Sequence, residues 1–203
     1  MIKRVFCVFF MVCIFFSSTS LLEAEEFVLK DNEVLYTFFS LPDGEAMLIT
    51  TGNDKHILIN TASKKSKKEL ISQLKAMDVE TIDALILTGN NDDTCGNASQ
   101  LIEKYNITKV IGPTYLSCVK HKVKMEIWES GKVYEPSPGL MFRVVKQSNS
   151  NVMNLFILFG NNSLLFMSEA NEQIEELIKE FPSRVEMLKI PEYALKNFPS
   201  GEL

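Results

Sequence analysis

The run Ala84-Leu85-Ile86-Leu87 contains no polar residue. A strand without polar alternation must be covered on both faces, so a chain that contains one needs layers on either side of a sheet. The flanking sequence supplies them. Upstream, residues 34–41, 46–50 and 57–60 are short apolar segments separated by Pro42-Asp43-Gly44 and Gly52-Asn53-Asp54, turn clusters that make them a β-meander. Ser63 then opens a helix whose apolar residues Leu70, Ile71, Leu74 and Met77 share one face. Downstream, Leu101, Ile102 and Tyr105 mark a second helix, and residues 107–111 a strand. Residues 123–145 read as strand and turn, punctuated by Gly131, Pro136, Pro138 and Gly139. Residues 152–159 and 164–167 pair as a hairpin across Gly160-Asn161-Asn162. Ile174, Leu177, Ile178 and Phe181 carry a third helix, closed by Pro182, and residues 185–190 form a last strand. The expectation is one α/β domain over residues 25–203, layered around a mixed sheet.

Residues 1–24 read as a secretory signal: Lys3 and Arg4 precede a twelve-residue apolar run, and Ala24 supplies the small residue a signal peptidase needs. The run is shorter than the roughly 20 residues of a membrane span. Membrane attachment is expected only if this segment stays uncleaved, and the rest is expected to be secreted or held in the cell envelope. The chain carries a net charge of −5, and losing two cations and one anion with the segment takes it to −6, which argues against a general nucleic-acid binder. Cys7 and Cys13 leave with it. Cys95 and Cys118 remain, able to form one disulfide or to stay a free buried pair.

Chemistry is expected where the all-apolar strand runs into Thr88-Gly89-Asn90-Asn91-Asp92-Asp93-Thr94-Cys95-Gly96-Asn97, a polar loop leading into a helix. Loops at the ends of such strands are where α/β folds place ligands. Only two histidines exist, His56 and His121, so a site needing three imidazoles is excluded.

With these segments in order, the chain resembles the metallo-β-lactamase superfamily, and within it the ComEC-like competence-protein hydrolase domain. Ser40-Leu41-Pro42-Asp43-Gly44-Glu45-Ala46 is similar to that family's D-V-G-Q-G-D-A opening, and Ile57-Leu58-Ile59-Asn60-Thr61-Ala62 to its I-L-I-D-T-G strand end. Residues 85–97 are similar to L-I-L-T-H-P-H-A-D-H-I-G-G, residues 164–170 to L-L-T-G-D-A, and Leu188-Lys189-Ile190-Pro191-Glu192-Tyr193 to L-K-V-P-H-H. The resemblance spans roughly residues 34 to 193. It implies an αββα sandwich whose second half is abbreviated, since the motif near residue 190 is followed by little chain.

The family holds two metal ions, usually zinc, that activate a water for hydrolysis. Carried over position by position, its histidines correspond to Gly89, Asn91, Thr94 and Glu192. The bridging aspartate corresponds to Glu169, the strand-end aspartate to Asn60, and only Asp93 is retained. The expectation is therefore vestigial site positions at Asn60, Gly89, Asn91, Asp93, Thr94, Glu169 and Glu192, with no metal, no catalytic residue and no cofactor. The chain then serves as a non-catalytic binding or structural protein of the cell envelope. An abbreviated second half also leaves a sheet edge for self-association or a protein partner. The alternative is a divergent metal-dependent hydrolase of phosphodiester or ester bonds, using a divalent cation at Asp93 and Glu169, with Asp92 and Glu192 as further oxygen donors. A third reading is a non-functional remnant of a larger gene. Lys64-Lys65-Ser66-Lys67-Lys68 is read as a solvated helix face, and as an anion-binding patch in the alternative.

Overall fold

The computed structural model describes residues 28–120, 123–146, 150–179 and 184–191. The candidate signal 1–24, His121 and Glu192 lie outside the described residues. The first sheet comprises β1 (Val34–Phe38), β2 (Met47–Thr51), β3 (His56–Ile59), β4 (Ala84–Ile86), β5 (Val110–Gly112) and β6 (Met125–Ile127), in that spatial order. The meander β1-β2-β3 is antiparallel, and β3 through β6 are parallel. The second sheet has the order β11-β10-β9-β8-β7, from β7 (Val133–Ser137), β8 (Leu140–Val145), β9 (Asn154–Phe159), β10 (Asn162–Phe166) and β11 (Met187–Lys189). Its pairs are antiparallel except β10 with β11.

The period of two along each strand sorts the side chains into three apolar layers. Met47, Ile49, Ile57, Ile59, Ala84 and Ile86 meet Phe142, Val144, Leu155, Ile157, Leu164 and Phe166 between the sheets. The alternate residues Leu48, Leu58, Leu85 and Leu87 face outward and pack on α1 (Lys67–Ala76) and α3 (Ala98–Lys104), through Leu70, Leu74, Leu101 and Ile102. On the far side, Phe156, Leu165 and Met167 pack on Ile174 and Ile178 of α4 (Glu172–Lys179). The architecture is helix, sheet, sheet, helix, and the unbroken apolar run at β4 is explained: Ala84 and Ile86 serve one layer, Leu85 and Leu87 the other. Burying each large aliphatic contributes about 1.5–3 kcal/mol.

The second sheet is the one the αββα expectation requires; its strands alternate between the inner layer and α4. Several details differ from expectation. The helix opening at Ser63 begins as a 3-10 turn, Lys64–Ser66, before α1, and Met77 is exposed at its end. A short helix α2 (Asp92–Cys95), unexpected from periodicity, sits inside the candidate loop. Among the described residues no helix is long and apolar enough to cross a membrane.

Candidate functional site

β3 and β4 lie side by side and end together, which sets Asn60 beside the loop leaving β4. Asn60 adopts a left-handed backbone conformation (φ 61°), which asparagine tolerates better than most residues. Its buried amide joins both strand ends. Oδ1 accepts from the Thr88 N–H at 2.9 Å and the Thr88 hydroxyl at 3.0 Å, and Nδ2 donates to Glu45 Oε1 at 2.7 Å. An aspartate here would face the Glu45 carboxylate without that donor; the amide resolves the repulsion. Ser168, just after β10, shares a 2.7 Å hydrogen bond with Thr88 and donates to Glu45 Oε1 at 3.2 Å. The Lys189 ammonium of β11 pairs with Glu45 Oε2, donates to the Met167 carbonyl at 2.9 Å, and lies 4.5 Å from the Phe166 ring centre. Burial pushes the Lys189 pKa below its ordinary value, and the Glu45 carboxylate opposes that shift. These residues form a floor that ties the two sheets together.

The loop above the floor carries the other candidate positions. Asn91 caps α2: its Oδ1 accepts from the Thr94 N–H at 3.0 Å and from the Thr94 hydroxyl at 2.7 Å. A Cβ added to Gly89 would lie 3.2 Å from Thr94 Oγ1 and 3.7 Å from Val152 Cγ2. Gly89, Asn91 and Thr94 are thus brought together, and the polar groups of Asn91 and Thr94 bond to one another. Asp93 accepts the Glu45 N–H through its carbonyl at 2.9 Å. That approach depends on Gly44 (φ 75°), where a Cβ would fall 2.4 Å from Ser63 N and 2.5 Å from Asp93 O.

Glu169 stands apart. Its carboxylate accepts from Ser150 at 3.1 Å and from Asn171 at 3.3 Å, while its N–H and that of Ser168 donate to Asn154 Oδ1. Asp92 turns to Lys64 at 3.7 Å. Metal fits this donor set poorly. Gly89 offers no side chain, Asn91 and Thr94 are bonded to each other, and among the described residues no three His, Cys, Asp or Glu form a metal-holding group.

Beside the floor lies a cavity of about 350 Å³. Phe38, Phe39, Leu41 and Ile190 give it apolar walls, and Glu45, Asp93 and Lys189 supply charge. Of the expected positions, Asn91, Asp93 and Thr94 border it and Asn60 lies beneath. In the lysine cluster, Lys64 and Lys65 are exposed and paired with Asp92 and Asp43. Asn97 is buried and donates to the Thr61 and Ser63 carbonyls at 2.8 and 2.7 Å.

Sequence reasoning assigned no role to Glu45, Thr88, Ser168 or Lys189. Glu45 and Lys189 stood inside the aligned motifs, but their pairing joins residues 144 apart and leaves no local pattern.

No family model matches the chain, and no curated protein matches it in sequence. Solved structures match it in fold. The Rm3 metallo-β-lactamase superposes with a TM-score of 0.58 at 13% identity, over 83% of this chain and 78% of that one. A motif mutant of the metallo-β-lactamase from Cronobacter sakazakii gives 0.55 at 13% identity, over 70% and 63%. MEM-A1, a subclass B3 metallo-β-lactamase from a soil metagenome library, gives 0.50 at 16% identity, over 68% and 60%. The matched region is thus less than two thirds of the last two proteins. At these identities the likeness establishes the fold, an α/β metallo-β-lactamase-like sandwich.

Proposed function

We propose that this chain is an exported, ComEC-like pseudoenzyme of the cell envelope, binding or structural in role, in which hydrogen bonds within the chain stand where the fold's relatives hold metal. The observation that carries the reading is the Asn91–Thr94 pair. Two positions aligned with metal-binding histidines hold side chains that satisfy each other and cap a helix. The internal ion pair of Lys189 with Glu45 supports it, because it supplies positive charge to a carboxylate at the floor without a bound ion. The adjoining cavity, with its aromatic walls and a few polar groups, suits a small ligand that is partly apolar. A partner or second copy belongs to the same reading, at the β11 edge of the second sheet, where Met187 and Leu188 are exposed.

The test is metal content and turnover together. The full chain is equilibrated with Zn²⁺ and Mn²⁺, freed of unbound metal, and assayed for bound metal and for β-lactam, phosphodiester and ester hydrolysis. The expected result is neither stoichiometric metal nor turnover. Stoichiometric metal, with an activity abolished by Asp93→Ala, overturns the reading in favour of a divergent hydrolase.

A further inference from the structure

Away from the cavity beside the floor, the candidate loop and the segment after β5 carry the two cysteines of the described chain. Cys95 ends α2, and Cys118 follows the turn after β5. Both side chains belong to the outer apolar layer under α1 and α3, and both face the same cavity. Each is held from behind by backbone. The Cys95 N–H donates to the Asn91 carbonyl at 3.0 Å. The Cys118 carbonyl accepts from the Ser99 hydroxyl at 2.7 Å, and that hydroxyl accepts the Lys120 N–H at 3.2 Å. Ser117 adds a second bridge, donating to Asn90 Oδ1 at 3.2 Å. Hydrogen bonds therefore hold the two cysteine-bearing segments together at one cavity.

Access is unequal. Cys95 is buried, Cys118 is half-buried, and both line a second cavity of about 340 Å³ whose rim carries Lys64 and Lys120. We propose that Cys95 and Cys118 are a dithiol modification site that closes to a disulfide by exchange with a small anionic disulfide such as oxidised glutathione, docked at this cavity. Lys120 suits such an oxidant, since glutathione disulfide carries several carboxylates, and Lys64 stands beside it in its pair with Asp92.

The exchange balances. The Cys118 thiolate attacks one sulfur of the oxidant, forming a mixed disulfide and expelling one glutathione thiolate, which takes up the Cys118 proton. Cys95 then loses its proton and attacks the Cys118 sulfur, forming the Cys95–Cys118 bond and expelling a second glutathione. Two protein S–H bonds break and one S–S bond forms; the oxidant's S–S bond breaks and two S–H bonds form. The order of attack follows from the geometry and is favoured by the thiol chemistry. Interaction with the Cys95 thiol lowers the Cys118 pKa, whereas interaction with Cys118 and burial raise the Cys95 pKa. The product bond ties α2, and with it Asn91 and Thr94, to the segment after β5. This site is independent of the binding reading and survives its failure.

The experiment incubates the folded full chain with excess oxidised glutathione, alkylates residual thiols, and maps peptides without reduction, which separates Cys95 and Cys118 from Cys7 and Cys13. The expected product is a Cys95–Cys118 cross-linked peptide pair, reversed by dithiothreitol, with no lasting glutathione on either residue. In Cys95→Ser, Cys118 retains glutathione; in Cys118→Ser, Cys95 stays unmodified in the folded chain. Circular dichroism checks that each variant folds, and the wild-type map decides alone if one does not. Both thiols remaining alkylatable in the wild-type chain, or glutathione retained on Cys118 with no cross-link, overturns the proposal.

Discussion

The floor of the site holds one aligned position, Asn60, and the loop above it holds four, Gly89, Asn91, Asp93 and Thr94; the two are built on opposite plans. The floor draws Glu45, Asn60, Thr88, Ser168 and Lys189 from five separate stretches and links the two sheets with buried, long-range bonds. The loop satisfies Asn91 and Thr94 within three residues of each other. The floor's own hydrogen bonds carry the cross-sheet connection, and the loop is closed locally. The two regions should therefore respond very differently to the loss of a single polar side chain.

Asn60→Ala is expected to cost the most, about 3–5 kcal/mol in chemical denaturation. It strands the buried Thr88 N–H, removes one of the two donors to Glu45 Oε1, and forces alanine into a left-handed conformation. Asn60→Gly separates the two causes, because glycine relieves the backbone term and leaves the donor stranded. A cost for Asn60→Ala below about 1 kcal/mol would mean that the floor does not act as the link between the sheets.

How much of this was legible in the sequence divides along the same line. The fold was readable because its signals are local: the apolar run at residues 84–87, the turn clusters between β1, β2 and β3, and the Gly160-Asn161-Asn162 hairpin each determine nearby backbone. Asn60, Asn91, Asp93 and Thr94 were located because the aligned motifs mark them. The Glu45–Lys189 pair and the Thr88–Ser168 bond were not, since a contact across 144 or 80 residues depends on how the sheets stack. The helix α2 was missed for another reason. Four residues carry too little periodicity to register, and its signal was the capping Asn91, which was read as a lost ligand instead. Glu169 shows the converse: its alignment was read from the motif, but its carboxylate faces Ser150 and Asn171.

The loop's weaker dependence is tested by Asn91→Ala, expected to cost about 1 kcal/mol, the usual loss for removing an N-cap oxygen. Both Thr94 donors lose their partner, but Asn91 is exposed and water replaces it. Asn91→Asp should be close to neutral, because a carboxylate caps as well as an amide. A cost for Asn91→Ala equal to that of Asn60→Ala would erase the contrast between loop and floor.

The smallest effect lies where the two regions touch, at Asp43. The Lys65 ammonium at 3.2 Å and the Ser63 hydroxyl at 3.0 Å hold its carboxyl below the ordinary value, and this outweighs the opposing effect of desolvation. A carboxylate whose pKa is lower folded than unfolded stabilises the fold above the unfolded value near 3.9. That contribution is lost as pH falls through the folded value, so Asp43 should steepen the acid limb of the stability profile below about pH 4. Asp43→Asn should flatten that limb while changing the thermal midpoint little at neutral pH, because the pair is exposed and screened. Raising salt should narrow the difference between the two profiles, as it would for a surface ion pair and would not for the buried Asn60 amide. An Asp43→Asn profile that parallels the wild type at every pH would place the acid sensitivity elsewhere and leave Gly44, with its backbone approach to Asp93, as the joint between loop and floor.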